Sequence, residues 1–389
     1  MLLLATAIAL IWVNMPGEIG ESYHHFWETH LAFEVGNWMV FDQSLEHTVN
    51  DVLMVVFFFV VGLEIKSELV VGDLREPRVA ALPAIAALGG MLMPALIYVA
   101  VTAGGEGANG WGIPMATDIA FAVGVLALMG PRVPQKLKLF LLTLAIVDDI
   151  GAILVIAVFY TTNIRFGWLS LAIGLLLMVM TLTRLRVWYT PIYAMLGIVI
   201  WYATFKSGVH ATIAGVALGL MAPAKPRMKE TVSITTRMAQ LLSPWTGFVI
   251  VPIFALANAG IELSGGAIAE AATSRITWGV ILGLVVGKIV GVTLFTWLAV
   301  RLNVASLPQG VTIQHVIGGG AVAGIGFTVA LFIAKLAFVD ETGEALPFLE
   351  EAIIGILLAS LLATFLGWLL LSRASTQDTG AELPVQQTH

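Results

Sequence analysis

Lys138-Leu-Phe-Leu-Leu-Thr-Leu-Ala-Ile-Val-Asp-Asp-Ile-Gly-Ala-Ile-Leu-Val-Ile-Ala-Val-Phe-Tyr160 is the stretch that decides the fold. From Leu139 to Tyr160 only Asp148 and Asp149 carry charge, and they sit at the centre of the run. A helix rises ~1.5 Å per residue, so about 20 apolar residues cross the hydrocarbon of a bilayer. This run is long enough. An ionised carboxylate at the midplane costs on the order of 2.5–3.5 kcal/mol to insert by insertion scales. Such residues face a protein interior or a water-filled cavity, and by default they mark an ion or proton pathway. The alternative is a structural pair satisfied by neighbouring helices, a role that rarely needs two adjacent acids.

Composition agrees. The chain has 389 residues, 59% hydrophobic and 11% charged, with a mean hydropathy of +0.94. Charged residues make up about a quarter of an ordinary soluble protein, so that class is excluded in favour of an all-α polytopic membrane protein. The net charge of -6 matters less than where the charges lie. There is no basic tract for nucleic acid and no Cys/His cluster for a resident metal, and no cofactor is implied. With no cysteine, disulfide and thiol chemistry are absent. No secretory signal is visible, because Met1 opens directly into an apolar run with no charged region before it. That first run is short for a span.

Apolar stretches give about twelve candidate spans, at 1–14, 47–63, 80–102, 111–129, 139–160, 166–183, 187–203, 207–222, 241–261, 276–300, 311–338 and 347–372. Pro and Gly mark the short loops, as in Met129-Gly-Pro-Arg-Val-Pro134. No linker is long enough for a second domain, so residues 1–372 read as one membrane domain. Residues 373–389 read as a polar, disordered cytoplasmic tail. An even span count puts both termini on one side. Of the nineteen Lys and Arg, four (Arg165, Lys206, Arg275 and Lys335) fall on the opposite side and Lys288 falls in mid-membrane, which leaves fourteen on the side of the termini. The positive-inside rule makes that side cytoplasmic.

The first outer loop carries no Lys or Arg. Within it, about 31–42, two β-prone runs flank Gly36-Asn37 and read as a small hairpin. An isolated hairpin is marginal in water, so pairing with the same hairpin of a second protomer is one expectation and an irregular loop the other.

Four more features lie near membrane depth. Lys288 is central in span ten and Asp118 in span four, His210 lies early in span eight, and span eleven carries Gly318-Gly319-Gly320, Gly324, Gly326 and Thr328. Each glycine weakens a helix by roughly 1 kcal/mol relative to Ala. Close packing through small residues explains glycines in membranes, but position argues for more. Pro114 and Asp118 interrupt span four, the glycines interrupt span eleven, and an odd number of crossings separates the two spans. Broken helices at matching places in oppositely directed segments point to an inverted-topology repeat, here spans 3–5 and 10–12, with a midplane site. If the two discontinuous helices cross, Asp118 offsets their two positive N-terminal ends and Lys288 their two negative C-terminal ends. Lys288 then has two readings, a salt bridge to Asp148 or a proton carrier.

An aspartate pair suits ion exchange. Na+ or Li+ leaving water needs hard oxygen ligands, which carboxylates, hydroxyls and freed carbonyls supply. Protons compete for the same oxygens, so exposure to one side at a time gives obligatory exchange, with activity rising with pH. Glu64 and Glu68 share a helix face at the cytoplasmic end of span two. They could gather cations or sense pH there, or simply form a solvated helix end with Lys66 and Arg75 nearby.

At this point the sequence resembles the NhaA family of bacterial Na+/H+ antiporters, a family that the inverted-repeat rule itself takes as an example. The matching segments are Phe57-Phe-Phe-Val-Val-Gly-Leu-Glu-Ile-Lys66, Ile113-Pro-Met-Ala-Thr-Asp-Ile-Ala-Phe-Ala122, Leu144-Ala-Ile-Val-Asp-Asp-Ile-Gly-Ala152, Lys206-Ser-Gly-Val-His-Ala-Thr212, Pro252-Ile-Phe-Ala-Leu-Ala-Asn-Ala-Gly260 and Gly324-Ile-Gly-Phe-Thr328. The resemblance implies electrogenic exchange of cytoplasmic Na+ or Li+ for more than one external proton in the bacterial inner membrane, serving sodium and pH homeostasis. It implies that Asp148 and Asp149 bind the ion, with Asp149 the essential ligand, and that Lys288 bridges to Asp148. Thr117 and Asp118 match the broken-helix crossing, Glu64 and His210 match positions linked to pH response, and Asp51 and Glu68 match the acids in and below span two. The outer hairpin matches one that helps form a homodimer among membrane lipids. Three departures stand out: the family's amphipathic leader is missing, Gly-Lys-Pro becomes Gly287-Lys288-Ile289, and the Glu/His cluster before Pro244-Trp245 reads Ala239-Gln240-Leu-Leu-Ser243. The last predicts a shifted or broader pH profile.

Other classes fit less well. An intramembrane aspartyl protease needs facing aspartates, whereas i and i+1 diverge by about 100° on one helix. A retinal protein would use Lys288 with an Asp counter-ion, but twelve spans are too many. A sodium-coupled symporter of an organic anion on a similar fold is the nearest alternative, and it needs a substrate pocket.

Overall fold

The computed structural model describes residues 1–35, 38–161, 163–187, 189–225, 232–339 and 345–378, and it is mostly helix beside one two-stranded sheet. Among the described residues, seven helices are long and apolar enough to cross a membrane: Leu45–Val70, Pro77–Thr102, Gln135–Phe159, Phe166–Arg184, Ile234–Asn258, Arg275–Arg301 and Phe348–Ala374. Three bent helix pairs raise the number to ten if each pair is one span, and Pro191–Lys206 and Thr212–Met221 are shorter apolar helices. Leu128 is 90% and Phe166 76% exposed. So many large apolar side chains on the outside call for hydrocarbon rather than water. The chain is a multi-pass membrane protein.

It divides into two compact units, Met1–Arg75 with Ala152–Ala269 and Glu76–Gly151 with Glu270–His389. In the first, helix Thr212–Met221 lies directly on the span Leu45–Val70. A Cβ on Gly215 would meet Val55 O at 2.3 Å, and one on Gly219 would meet Phe59 O at 2.6 Å. Only glycine permits that approach, which is how membrane helices associate without a hydrophobic driving force. Leu45–Val70 and Ile234–Asn258 each carry a π-helical turn, at Val49–Leu53 and Thr246–Ile250. The hairpin forms as strands His30–Val35 and Trp38–Ser44, antiparallel, with a register shift between Phe33 and Glu34. Its predicted turn, Gly36-Asn37, lies outside the described residues.

The sequence reading missed an amphipathic helix, Glu18–Glu28, ahead of the hairpin. Its buried Tyr23 and Trp27, one turn apart, were the available signal. Tyr23 donates to Leu256 O at 2.8 Å or Ala257 O at 3.1 Å, which ties the helix to the segment Pro252–Gly260.

In the second unit, Pro77–Thr102 packs on Arg275–Arg301 through glycine contacts on both sides. A Cβ on Gly291 would sit 2.1 Å from Gly89 O, and one on Gly287 would sit 2.8 Å from Pro94 Cα. Span four is interrupted as expected. A 3-10 helix, Glu106–Met115, gives way to extended backbone at Ala116 and resumes as Ile119–Leu128, bent by 43°. Span eleven breaks between Ile313–Ala323 and Phe327–Phe338, bent by 49°. Its glycines divide the labour. Gly318, Gly319 and Gly320 stay helical and admit Leu371, Leu141 and Ile289, while Gly324 and Gly326 lie at the break. The last helix, Phe348–Asp378, runs six residues past the expected end of span twelve, and the tail 379–389 lies outside the described residues.

Candidate functional site

Asp148 and Asp149 stand mid-helix in Gln135–Phe159. With Thr117, Asp118 and Lys288 they are all buried, none more than 5% exposed. Lys288 follows the π-helical turn Leu282–Gly287, on a helix that glycine contacts draw close to its neighbour. Its ammonium donates to Asp148 Oδ2 at 2.5 Å, to Thr117 Oγ1 at 3.0 Å and to the Met115 carbonyl. An ammonium has three protons, so its donor capacity is fully used. Of the two sequence readings of Lys288, the salt bridge to Asp148 is present.

Thr117 lies in the first break. Its oxygen is 2.6 Å from Asp148 Oδ2 and 2.8 Å from the carbonyl of Ala323, where Ile313–Ala323 ends. One hydroxyl proton can serve only one of these acceptors at a time. Lys288 and Thr117 thus answer the last carbonyls of two helix segments, Met115 and Ala323, that the breaks leave without intrahelical partners. Asp118 answers the opposite ends. Its Oδ1 accepts from Phe121 N at 3.0 Å, and its Oδ2 accepts from Thr328 N at 3.1 Å and Thr328 Oγ1 at 2.6 Å. Asp118 N donates to Ile325 O at 2.7 Å, so the two breaks bond to each other directly.

Asp148 Oδ1 is buried and accepts no hydrogen bond among the described residues. With the Thr117 hydroxyl and the Ala323 carbonyl it makes a set of buried hard oxygens, and Asp149 is the next residue on the same helix. Such oxygens suit a small cation or a proton. A buried pair such as Asp148 and Lys288 is held by its complementary charge, and removing either partner strands the other.

Asp51, Glu64, Glu68 and His210 belong to the other unit. Asp51 lies in the π-helical turn Val49–Leu53, where its carbonyl accepts from Trp201 Nε1 at 3.0 Å. Beside it, Asn50 and Asn258 exchange amide hydrogen bonds of 3.1 and 2.8 Å. Glu64 and Glu68 are half-buried on one helix, and His210 donates Nε2–H to the Tyr160 carbonyl. Sequence reasoning missed the carbonyls of Met115, Ala323 and Ile325, because any residue carries a carbonyl and only the breaks expose them.

Two interrupted apolar helices bonded around a buried Asp–Lys pair define the class of secondary ion transporters with discontinuous helices. Comparison with known proteins is more specific. The Na+/H+ antiporter 1 family model matches residues 1–371, and the chain belongs to that family. It is 45% identical to the Na(+)/H(+) antiporter NhaA of Salmonella arizonae over 369 residues, which covers 94% of this chain and 93% of that protein. It is 44% identical to the one of Acidithiobacillus ferrooxidans over 419 residues, covering 96% and 94%. It is 44% identical to the Na(+)/H(+) antiporter NhaA 3 of Frankia alni over 401 residues, covering 95% and 85%. The protein is a Na+/H+ antiporter, with Na+ and H+ as its substrates.

Proposed function

We propose that the exchange is electrogenic, that the Asp148–Asp149 pair is its shared cation and proton site, and that it works in the bacterial inner membrane with both termini cytoplasmic. The observation that carries this reading is the buried Asp148–Lys288 bond beside the two helix breaks, with Asp149 adjacent. Asp149 is the principal ligand for Na+ or Li+. Thr117 and Asp148 add oxygens, and Asp118 and Lys288 neutralise the ends of the broken helices. Two carboxylates facing one monovalent cation leave room for more than one proton per turnover.

Twelve crossings follow if the three bent pairs and two shorter apolar helices each count as a span. The second unit holds spans three to five, as far as Gly151, and spans ten to twelve, which supports an inverted repeat in which the two broken helices cross. Residues 1–372 then form one transport domain. Glu64, Glu68 and His210 adjust the pH response, and Asp51 is a further membrane acid. The hairpin joins two protomers in a homodimer within the lipid.

Everted vesicles from cells lacking other antiporters, energised to an acid interior, test this. Alkalinisation by NaCl and LiCl but not KCl, lost in Asp149→Asn, is the expected result. Wild-type exchange in Asp149→Asn would remove the aspartate pair from the mechanism.

A further inference from the structure

Helix Phe348–Asp378 carries none of the groups assigned to exchange, yet it presents a buried hydroxyl, Ser360, to the second break. Ser360 Oγ accepts from Phe327 N at 3.3 Å, at the first residue of the resumed helix. The opening N–H groups of a helix have no partner within it. Here the first goes to Ser360, and the next, Thr328 N, goes to Asp118 Oδ2. Two side chains from two other elements therefore fix where this half-helix starts.

From that point hydrogen bonds, joined through adjacent residues of the chain, lead to Asp148. Thr328 bonds Asp118, Asp118 N bonds Ile325 O, and the neighbouring Thr117 bonds Ala323 O or Asp148 Oδ2. Further along, the same helix packs closely on Ile313–Ala323. A Cβ on Gly367 would meet Val322 Cγ2 at 2.6 Å, and one on Gly318 would meet Leu371 Cγ at 2.7 Å. The first break has a parallel arrangement. Thr117 bonds Asp148 on the following helix 31 residues later, and Phe327 bonds Ser360 on its following helix 33 residues later. In each segment the following helix offers a polar side chain to the broken region, a carboxylate in one and a neutral hydroxyl in the other.

We propose that Ser360 is a positioning residue for cation exchange, the uncharged counterpart of Asp148 at the second break. It sets the start of the half-helix and, through Thr328 and Asp118, the placing of Thr117 and the Ala323 carbonyl beside Asp148. The proposal rests on the assignment of Asp148 and Asp149 as the ion site.

The test uses the full chain in proteoliposomes, with Ser360→Ala, Ser360→Thr and Asp149→Asn, reading the half-maximal Na+ concentration, the maximal rate and the thermal midpoint of each. Ser360→Ala is expected to raise the half-maximal Na+ concentration about 3- to 10-fold with the maximal rate within about two-fold, and Ser360→Thr to return it close to wild type. Unchanged Na+ dependence in Ser360→Ala overturns the proposal. So does a fall in rate that follows the thermal midpoint and is not rescued by Thr, because that marks packing alone. Wild-type Na+ dependence in Asp149→Asn overturns the ion-site assignment and this proposal with it, whereas a negative result at Ser360 leaves the assignment standing.

Discussion

Lys288 has no exposed surface and commits its three ammonium protons to a carboxylate, a hydroxyl and a carbonyl. Burying such a charge is tolerable only because the whole set is satisfied, and breaking a buried pair costs roughly 3–5 kcal/mol. Lys288→Ala should therefore lower the stability of the detergent-solubilised protein by about that much. Lys288→Met combined with Asp148→Asn should lose clearly less than the sum of the two single changes, and strict additivity in thermal unfolding would mean that the pair is not coupled. Thr117 permits a sharper distinction. Thr117→Val keeps the shape but leaves the Ala323 carbonyl and Asp148 without its hydroxyl, whereas Thr117→Ser keeps the oxygen. The half-maximal Na+ concentration should rise about tenfold in Val, on the scale of a lost hydrogen bond to a charged group, and stay near wild type in Ser. Equal effects would show that the methyl, not the hydroxyl, matters.

Single elements owe their placing to glycine and proline more than to their apolar faces. Gly291 lies against the Gly89 carbonyl on the helix that carries Lys288, so Gly291→Ala has to force two helices apart. Overpacking of this kind costs typically 1–3 kcal/mol, on the order of a several-degree fall in thermal midpoint. Gly124, with open space around its Cα, is the control, and Gly124→Ala should be neutral or stabilise by roughly 0.5–1 kcal/mol. If the two behaved alike, close approach would not be what keeps Gly291. At this scale the sequence was partly legible. Pro114 and Asp118 announced the first break because one removes a donor and the other caps. The second was harder to locate, since five glycines in span eleven are equally permissive. Only contacts from Leu371, Leu141 and Ile289 separate the three that pack from the two at the break.

For the whole molecule, the span pattern was the most legible feature, because twenty apolar residues in a row have few physical outcomes. The Asp148–Lys288 bond was readable for a related reason, since a buried charge demands an opposite one. Helix Glu18–Glu28 was not, because its polar face lowers its mean hydropathy below that of a span. Orientation can be tested directly, since the chain has no cysteine and any introduced thiol is the only one. Arg132→Cys and Arg301→Cys should react with a membrane-impermeant maleimide only in everted vesicles, and Arg165→Cys only in right-side-out ones. The reverse pattern would overturn the topology. The central claim is that Na+ and protons compete for one set of oxygens at Asp148 and Asp149. The most direct measurement is proton release into weakly buffered detergent solution when Na+ is added to the purified antiporter. The account predicts release of more than one proton per Na+ bound, an apparent Na+ affinity that weakens as pH falls, and no release from Asp149→Asn. Na+ binding that releases no protons and is indifferent to pH would contradict it.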